Sequence, residues 1–186
     1  MSSGGKVSFW KFIALSDITK ILIPSIQRDY AQGRADEKIG FALDRLLNDI
    51  AASLETMAPL DLNYVYGKQN GTEFVPIDGQ QRLTLLLLIH IYAFAAEGKK
   101  EELRKLHCFQ YHTRETTRRF LEQLIEHLPD FFCENGSEIG NFIRDSAWFV
   151  PSWVRDPSVA SFLVGLEKIH KRFGEKAIAD KLTTPA

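Results

Sequence analysis

One short segment concentrates side chains that can handle an anion: Asp78-Gly79-Gln80-Gln81-Arg82, with Thr84 two residues on. It follows the extended run Phe74-Val75-Pro76-Ile77 and precedes the apolar run Leu83 to Ile89, so a strand period gives way to a helix period within two residues. A helix starting here presents unpaired backbone N–H groups and a partial positive charge. Together these favour a bound anion. Arg82 adds a planar fork that fits phosphate oxygens, and Gly79 lets a ligand come close to the backbone. Asp78 can cap the helix, hold Mg²⁺ or orient a water. Gln80 and Gln81 leave the helix start in different directions, so one can position a water or read a base edge while the other faces the scaffold. A local reading competes with this one. Asp-Gly is a common turn and cap, and Asp78 and Arg82 have the spacing of an i,i+4 ion pair. The run Leu83 to Ile89 is apolar all round, the mark of a buried helix. Its start is therefore expected in the middle of the domain, its polar residues forming a closed network or lining a cleft.

Two further clusters carry charge. Gln27-Arg28-Asp29-Tyr30 ends the first extended run, where an Arg and a Tyr can aim at the same pocket or form a surface ion pair. Thr113-Arg114 is followed one turn later by Arg118. Both arginines continue the stripe of Leu121, Ile125 and Leu128, which predicts that they face inward, toward a ligand or an internal carboxylate. The histidines at 90, 107, 112, 127 and 170 show no metal-ligand spacing, and His90 reads as a core residue of the apolar helix. No G-x-x-x-x-G-K-[ST] loop, G-x-S-x-G or H-E-x-x-H motif is present.

The elements that must position these residues can be read coarsely. Ser16 is a candidate cap for a short helix at 15–18. A strand is expected over Lys20–Gln27, its Pro24 suggesting an edge or a bend, and a loop over Asp29–Asp36. Apolar spacing predicts a helix over Phe41–Leu54. A hairpin is expected from strands at Asn63–Gly67 and Phe74–Ile77, joined through Lys68-Gln69-Asn70-Gly71. The long apolar helix runs from Asp78-Gly79 to about Glu97 and is ended by Gly98-Lys99-Lys100. A strand at His107–His112 and a helix over Arg114–Leu128, capped by Thr113 and stopped by Pro129, come next. Helices at Glu138–Arg144 and Pro157–Phe173 complete the pattern. The class is α+β: a small mixed sheet with helices in residues 1–112, then a mostly helical extension in 113–186. The ending Lys181-Leu182-Thr183-Thr184-Pro185-Ala186 suggests the N-terminal part of a longer protein.

Composition narrows the function classes. The net charge of -1 excludes a global field that draws the chain onto nucleic acid, so any anion site must come from a few converging cations. Cys108 and Cys133 lie far apart without C-x-x-C spacing, as expected of reduced thiols in a cytoplasmic protein rather than a zinc site or disulfide framework. The first residues lack an apolar signal core. The longest apolar run, Leu85–Ala96, is interrupted by His90 and too short for a membrane span.

Taken in order, Ile23-Pro24-Ser25-Ile26-Gln27-Arg28-Asp29-Tyr30, Tyr64-Val65-Tyr66-Gly67, Ile77 through Thr84, and Tyr111-His112-Thr113-Arg114 resemble the N-terminal domain of GmrSD-type restriction endonucleases, within the ParB/sulfiredoxin-like superfamily. The D-G-Q-Q-R element is the most specific part. The resemblance implies a ParB/sulfiredoxin-like sheet and a domain that binds and hydrolyses a nucleoside triphosphate with Mg²⁺. It also implies coupling to an HNH-type nuclease, in the same or another polypeptide, that restricts modified phage DNA. No nuclease motif lies in these residues, and DNA would be met through the full assembly. Asp78, Gln80, Gln81, Arg82 and Arg28 are the expected catalytic residues, with Asp78 also the Mg²⁺ candidate. Gln27, Tyr30, Gly79, Thr84, Arg114 and Arg118 are the expected nucleotide contacts. Ile26, the run Ala31-Gln32-Gly33-Arg34 and Leu85 depart from the family pattern.

Overall fold

The computed structural model describes residues 5–14, 16–24, 37–112, 115–134, 138–174 and 176–184. Within them the fold is α+β, a four-stranded mixed sheet in a mostly helical chain. In chain order the elements are α1 (Phe9–Ala14), β1 (Lys20–Ile23), α2 (Glu37–Thr56), β2 (Tyr66–Asn70), β3 (Glu73–Asp78), α3 (Gln80–Ala96) and α4 (Lys100–Lys105). They continue with β4 (Phe109–Tyr111), α5 (Glu115–Cys133), α6 (Ile139–Asp145), α7 (Pro157–Phe173) and α8 (Ala179–Thr183). The strand order is β2-β3-β1-β4. β1 runs parallel to both β3 and β4, with Ile21 opposite Phe74 on one side and Phe109 on the other. β2 and β3 form the antiparallel hairpin.

The centre of the molecule is α3. Its side chains from Leu83 to Ala95 are buried almost without interruption, as an all-round apolar helix requires. α5 and α7 pack against it with amphipathic faces. α5 contributes Thr117, Phe120, Leu121, Leu124 and Leu128, and α7 contributes Val159, Phe162, Leu166 and Ile169. Asp156 opens α7: its carboxylate accepts from the Ser158 N–H at 2.9 Å and the Thr117 hydroxyl at 3.0 Å, and Pro157 follows at the first helical position. One hydrophobic cluster extends from Trp10 to Ala179.

Several expectations need correction. Ser16 follows a helix instead of opening one; its hydroxyl donates to the Phe12 carbonyl. β1 is an interior strand, and Pro24 lies just past its end, where no ladder N–H is needed. The first hairpin strand sits later than expected because Asn70 pairs with Glu73, leaving only Gly71-Thr72 in the turn. Residues 106–108 form a 3-10 turn, so β4 begins only at Phe109. Pro129 does not stop α5, which continues to Cys133. The lost hydrogen bond is offset by Phe131, buried against Phe142 and His170, and by Phe132 against Tyr92. The 29–36 loop and the Thr113 cap lie outside the described residues.

Candidate functional site

Parallel pairing makes β1, β3 and β4 end on one edge of the sheet. β1 ends at Ile23, whose carbonyl accepts from the His112 N–H at 3.0 Å just after β4. β3 ends at Asp78 and turns directly into α3. Open sheets receive ligands outside the carboxyl ends of their parallel strands. The described chain therefore brings Pro24, the Asp78 turn and His112 to the same edge. Gln27, Arg28, Tyr30, Thr113 and Arg114 lie outside the described residues.

The turn itself is built in detail. Gly79 precedes α3 with φ 84°, a left-handed conformation that L side chains resist. A Cβ at this position would lie 2.7 Å from a Val65 methyl carbon. Val65 thus packs against Gly79 on the side where a Cβ would stand. Gln80 is buried and its side-chain amide donates to the Pro76 carbonyl at 2.9 Å, pinning the helix start onto β3. Gln81 is half-buried on a different face. Of the two glutamines, Gln80 faces the scaffold.

Arg82 spans two partners. One guanidinium nitrogen donates to the Leu62 carbonyl at 2.8 Å, and another lies 3.3 Å from the Asp78 carboxylate. The i,i+4 ion pair weighed from the sequence therefore exists, though its Asp78 side chain is 62% exposed. The expected buried helix start holds for Gly79 and Gln80, whereas Asp78 before them is exposed and Gln81 and Arg82 are half-buried. The N-cap position of α3 is Gly79, and the Asp78 carboxylate pairs with Arg82 instead of capping the helix. Its first N–H groups keep the partial positive charge of a helix N-terminus.

Thr84 lies one turn deeper. Its hydroxyl shares a 2.6 Å hydrogen bond with the Tyr111 phenol, linking α3 to β4. Burial pushes the Tyr111 phenol well above its usual range, and the bond to Thr84 opposes this. Arg118 requires correction. It faces solvent and pairs with Glu115 at 2.7 Å and Glu122 at 3.5 Å. The buried face of α5 passes through Thr117, Phe120, Leu121 and Leu124, and position 118 falls outside it. Glu115 is held below the usual carboxylate range by hydrogen bonds from Arg118 and Arg119.

His90 occupies the interior of α3 among Phe9, Trp10 and Phe94. Its Nδ1 pairs with the Leu86 carbonyl at 2.7 Å, so that nitrogen carries the proton. Nε2 is buried and has no partner among the described residues. Burial lowers the imidazole to about 4, which keeps it neutral at pH 7. Cys108 is pushed up to about 11 by burial. Among the described residues no group of three or more His, Cys, Asp or Glu side chains could hold a metal ion by itself. Asp78 is the carboxylate at the α3 start. A lone carboxylate fits a Mg²⁺ ion that arrives on a nucleotide and takes its other ligands from phosphates and water.

The segment 62–66 was not singled out by residue chemistry, yet it packs along the helix start through Leu62, Val65 and Tyr66. Its Tyr64-Val65-Tyr66-Gly67 pattern was visible only through resemblance. The sequence matches the family described as GmrSD restriction endonuclease, N-terminal domain, over residues 11–147, well over half of the chain. No curated protein and no solved structure matches it. No helix of the described residues is long and apolar enough to cross a membrane.

Proposed function

The chain belongs to the GmrSD restriction endonuclease N-terminal domain family, and from that premise we propose that it binds a nucleoside triphosphate at the start of α3 and hydrolyses it. As a member of that family it is a component of a restriction system. In the proposed system, hydrolysis is coupled to an HNH-type nuclease elsewhere, which cuts modified phage DNA met through the full assembly. The observation that carries the reading is the α3 start: a helix N-terminus opening at Gly79, with Arg82 fixed beside it, on the edge where three parallel strands end.

Each residue has a role within this reading. Arg82 is oriented by the Leu62 carbonyl and the Asp78 carboxylate. Its remaining donors stabilise charge on the transferred phosphoryl group. Gln81 orients the attacking water, while Gln80 holds the turn through Pro76. Water attacks the terminal phosphorus, the bond to the bridging oxygen breaks, and a diphosphate and inorganic phosphate leave. Asp78 would hold Mg²⁺ carried by the phosphates, and that ion would neutralise charge on the leaving group. Arg28, Gln27, Tyr30 and Arg114, which the resemblance implies as further site residues, follow β1 and β4 in sequence and lie outside the described residues. Thr84 supports the proposed pocket from behind through Tyr111.

Phosphate release by wild type and Arg82→Ala tests the reading, with urea unfolding of both as the stability control. Release that falls sharply in a folded variant supports hydrolysis. Nucleotide binding without release, even with the nuclease part present, would instead make the domain a sensor of nucleotide or DNA phosphate.

A further inference from the structure

We propose that Tyr64 and Tyr66 form the wall on which the base of the bound nucleotide stacks, an inference that rests on the nucleotide reading above. Three contacts align residues 62–66 with the helix start. The Leu62 carbonyl accepts from Arg82 at 2.8 Å. Val65 fills the space above Gly79. Tyr66 is the strand partner of Asp78. The segment therefore runs antiparallel to residues 78–82 and sets Tyr66 across the strand pair from Asp78, whose carboxylate lies 3.3 Å from Arg82.

Exposure alternates along it. Val65 is half-buried and turned toward Gly79, whereas Tyr64 is 87% and Tyr66 57% exposed. The two phenol rings thus flank Val65 and leave its packed side. Ile77, next to Asp78 on β3, adds further exposed apolar surface. The backbone before the rings is fixed: Asn63 adopts φ 67°, and its N–H donates to the Asp61 carboxylate at 3.0 Å.

Two large aromatic side chains are thus exposed on the segment that lines the start of α3. Inorganic phosphate would satisfy the helix end and leave the rings unused. An apolar peptide would satisfy the rings and leave the positive end unpaired. A nucleotide carries both a π-face and phosphates, and base–aromatic stacking accepts any base.

The test compares ATP with inorganic triphosphate by titration calorimetry of the 186-residue chain with Mg²⁺. Wild type is expected to bind ATP more tightly than triphosphate, on the order of tenfold or more. Replacing both rings, Tyr64→Ala with Tyr66→Ala, should reduce ATP to the triphosphate level and leave triphosphate unchanged. The corresponding double Phe variant should retain the preference. Equal binding of the two ligands by wild type, or equal weakening of both in the alanine variant, overturns the stacking wall and leaves the phosphate site standing. If wild type binds neither ligand, the nucleotide reading itself fails and the wall fails with it.

Discussion

Replacing Gly79 with alanine should lower the unfolding free energy by about 3 kcal/mol, through two separable effects. The first is conformational: Gly79 has φ 84°, and the left-handed region costs an L residue about 1–2 kcal/mol. The second is steric. The new Cβ would lie 2.7 Å from the Val65 methyl carbon and 3.1 Å from the Val65 Cα. Part of that contact is backbone, so the segment itself must move, an overpacking effect of about 1–3 kcal/mol. Gly98 provides the control. It has φ 64° with nothing within 4 Å of the added Cβ, so Gly98→Ala carries the conformational term alone, about 1 kcal/mol. Urea unfolding of the two variants reads the difference directly, because a slope of roughly 2–3 kcal/mol per molar separates their midpoints by most of a molar. A second arm adds Val65→Ala to Gly79→Ala, and the pair should be less destabilising than the sum of the single changes. If Gly79→Ala and Gly98→Ala shift the midpoint equally, Val65 does not pack on the turn as described. The alignment of residues 62–66 with the helix start then loses one of its three supports.

Two other stability predictions follow from buried polar groups. His90 has a folded pKa of about 4 against 6.5 for the free side chain, so between those values the unfolded chain binds the proton and the folded chain does not. Its contribution is complete above pH 6.5 and is lost as pH falls toward 4, a drop of about 3 kcal/mol. The His90→Leu variant should lack that slope, so the wild-type-minus-variant difference in urea unfolding free energy should fall between pH 6.5 and pH 4, and parallel pH profiles would refute the assignment. Thr84→Val leaves the Tyr111 phenol without its 2.6 Å partner and should destabilise by about 1–2 kcal/mol. Adding Tyr111→Phe should recover part of that loss in thermal unfolding, whereas additive losses would show that the two hydroxyls do not act as a pair.

What the sequence made legible depended on how local the cause was. α3 was clear because Leu83 to Ala96 is apolar on every side, which only burial explains. α7 was read with the same bounds that it has in the fold. Its Pro157 start, apolar spacing and Gly174 beyond Phe173 are all local signals. Pro129 was misleading because what carries the helix past it, Phe131 against Phe142 and His170, is contact between distant segments. Arg118 was misplaced for a related reason. The expected stripe of Leu121, Ile125 and Leu128 is buried, but toward the N-terminus of α5 it continues through Thr117 and Phe120 and not through Arg118. Only packing against α3 and α7 fixes that continuation. Within the site, the change of period located the turn at Asp78. The partners of Arg82 and Gly79 lie about twenty and fourteen residues upstream, at Leu62 and Val65, with no local signal of the contact.

Phosphate release from a nucleoside triphosphate with Mg²⁺, compared between wild type and Arg82→Ala, bears most directly on the function assigned to the α3 start. Wild type should release phosphate, and Arg82→Ala should do so about 100-fold more slowly or worse, as loss of a positioned charge at the transferred group requires. Equal rates in two folded proteins would contradict the role of Arg82.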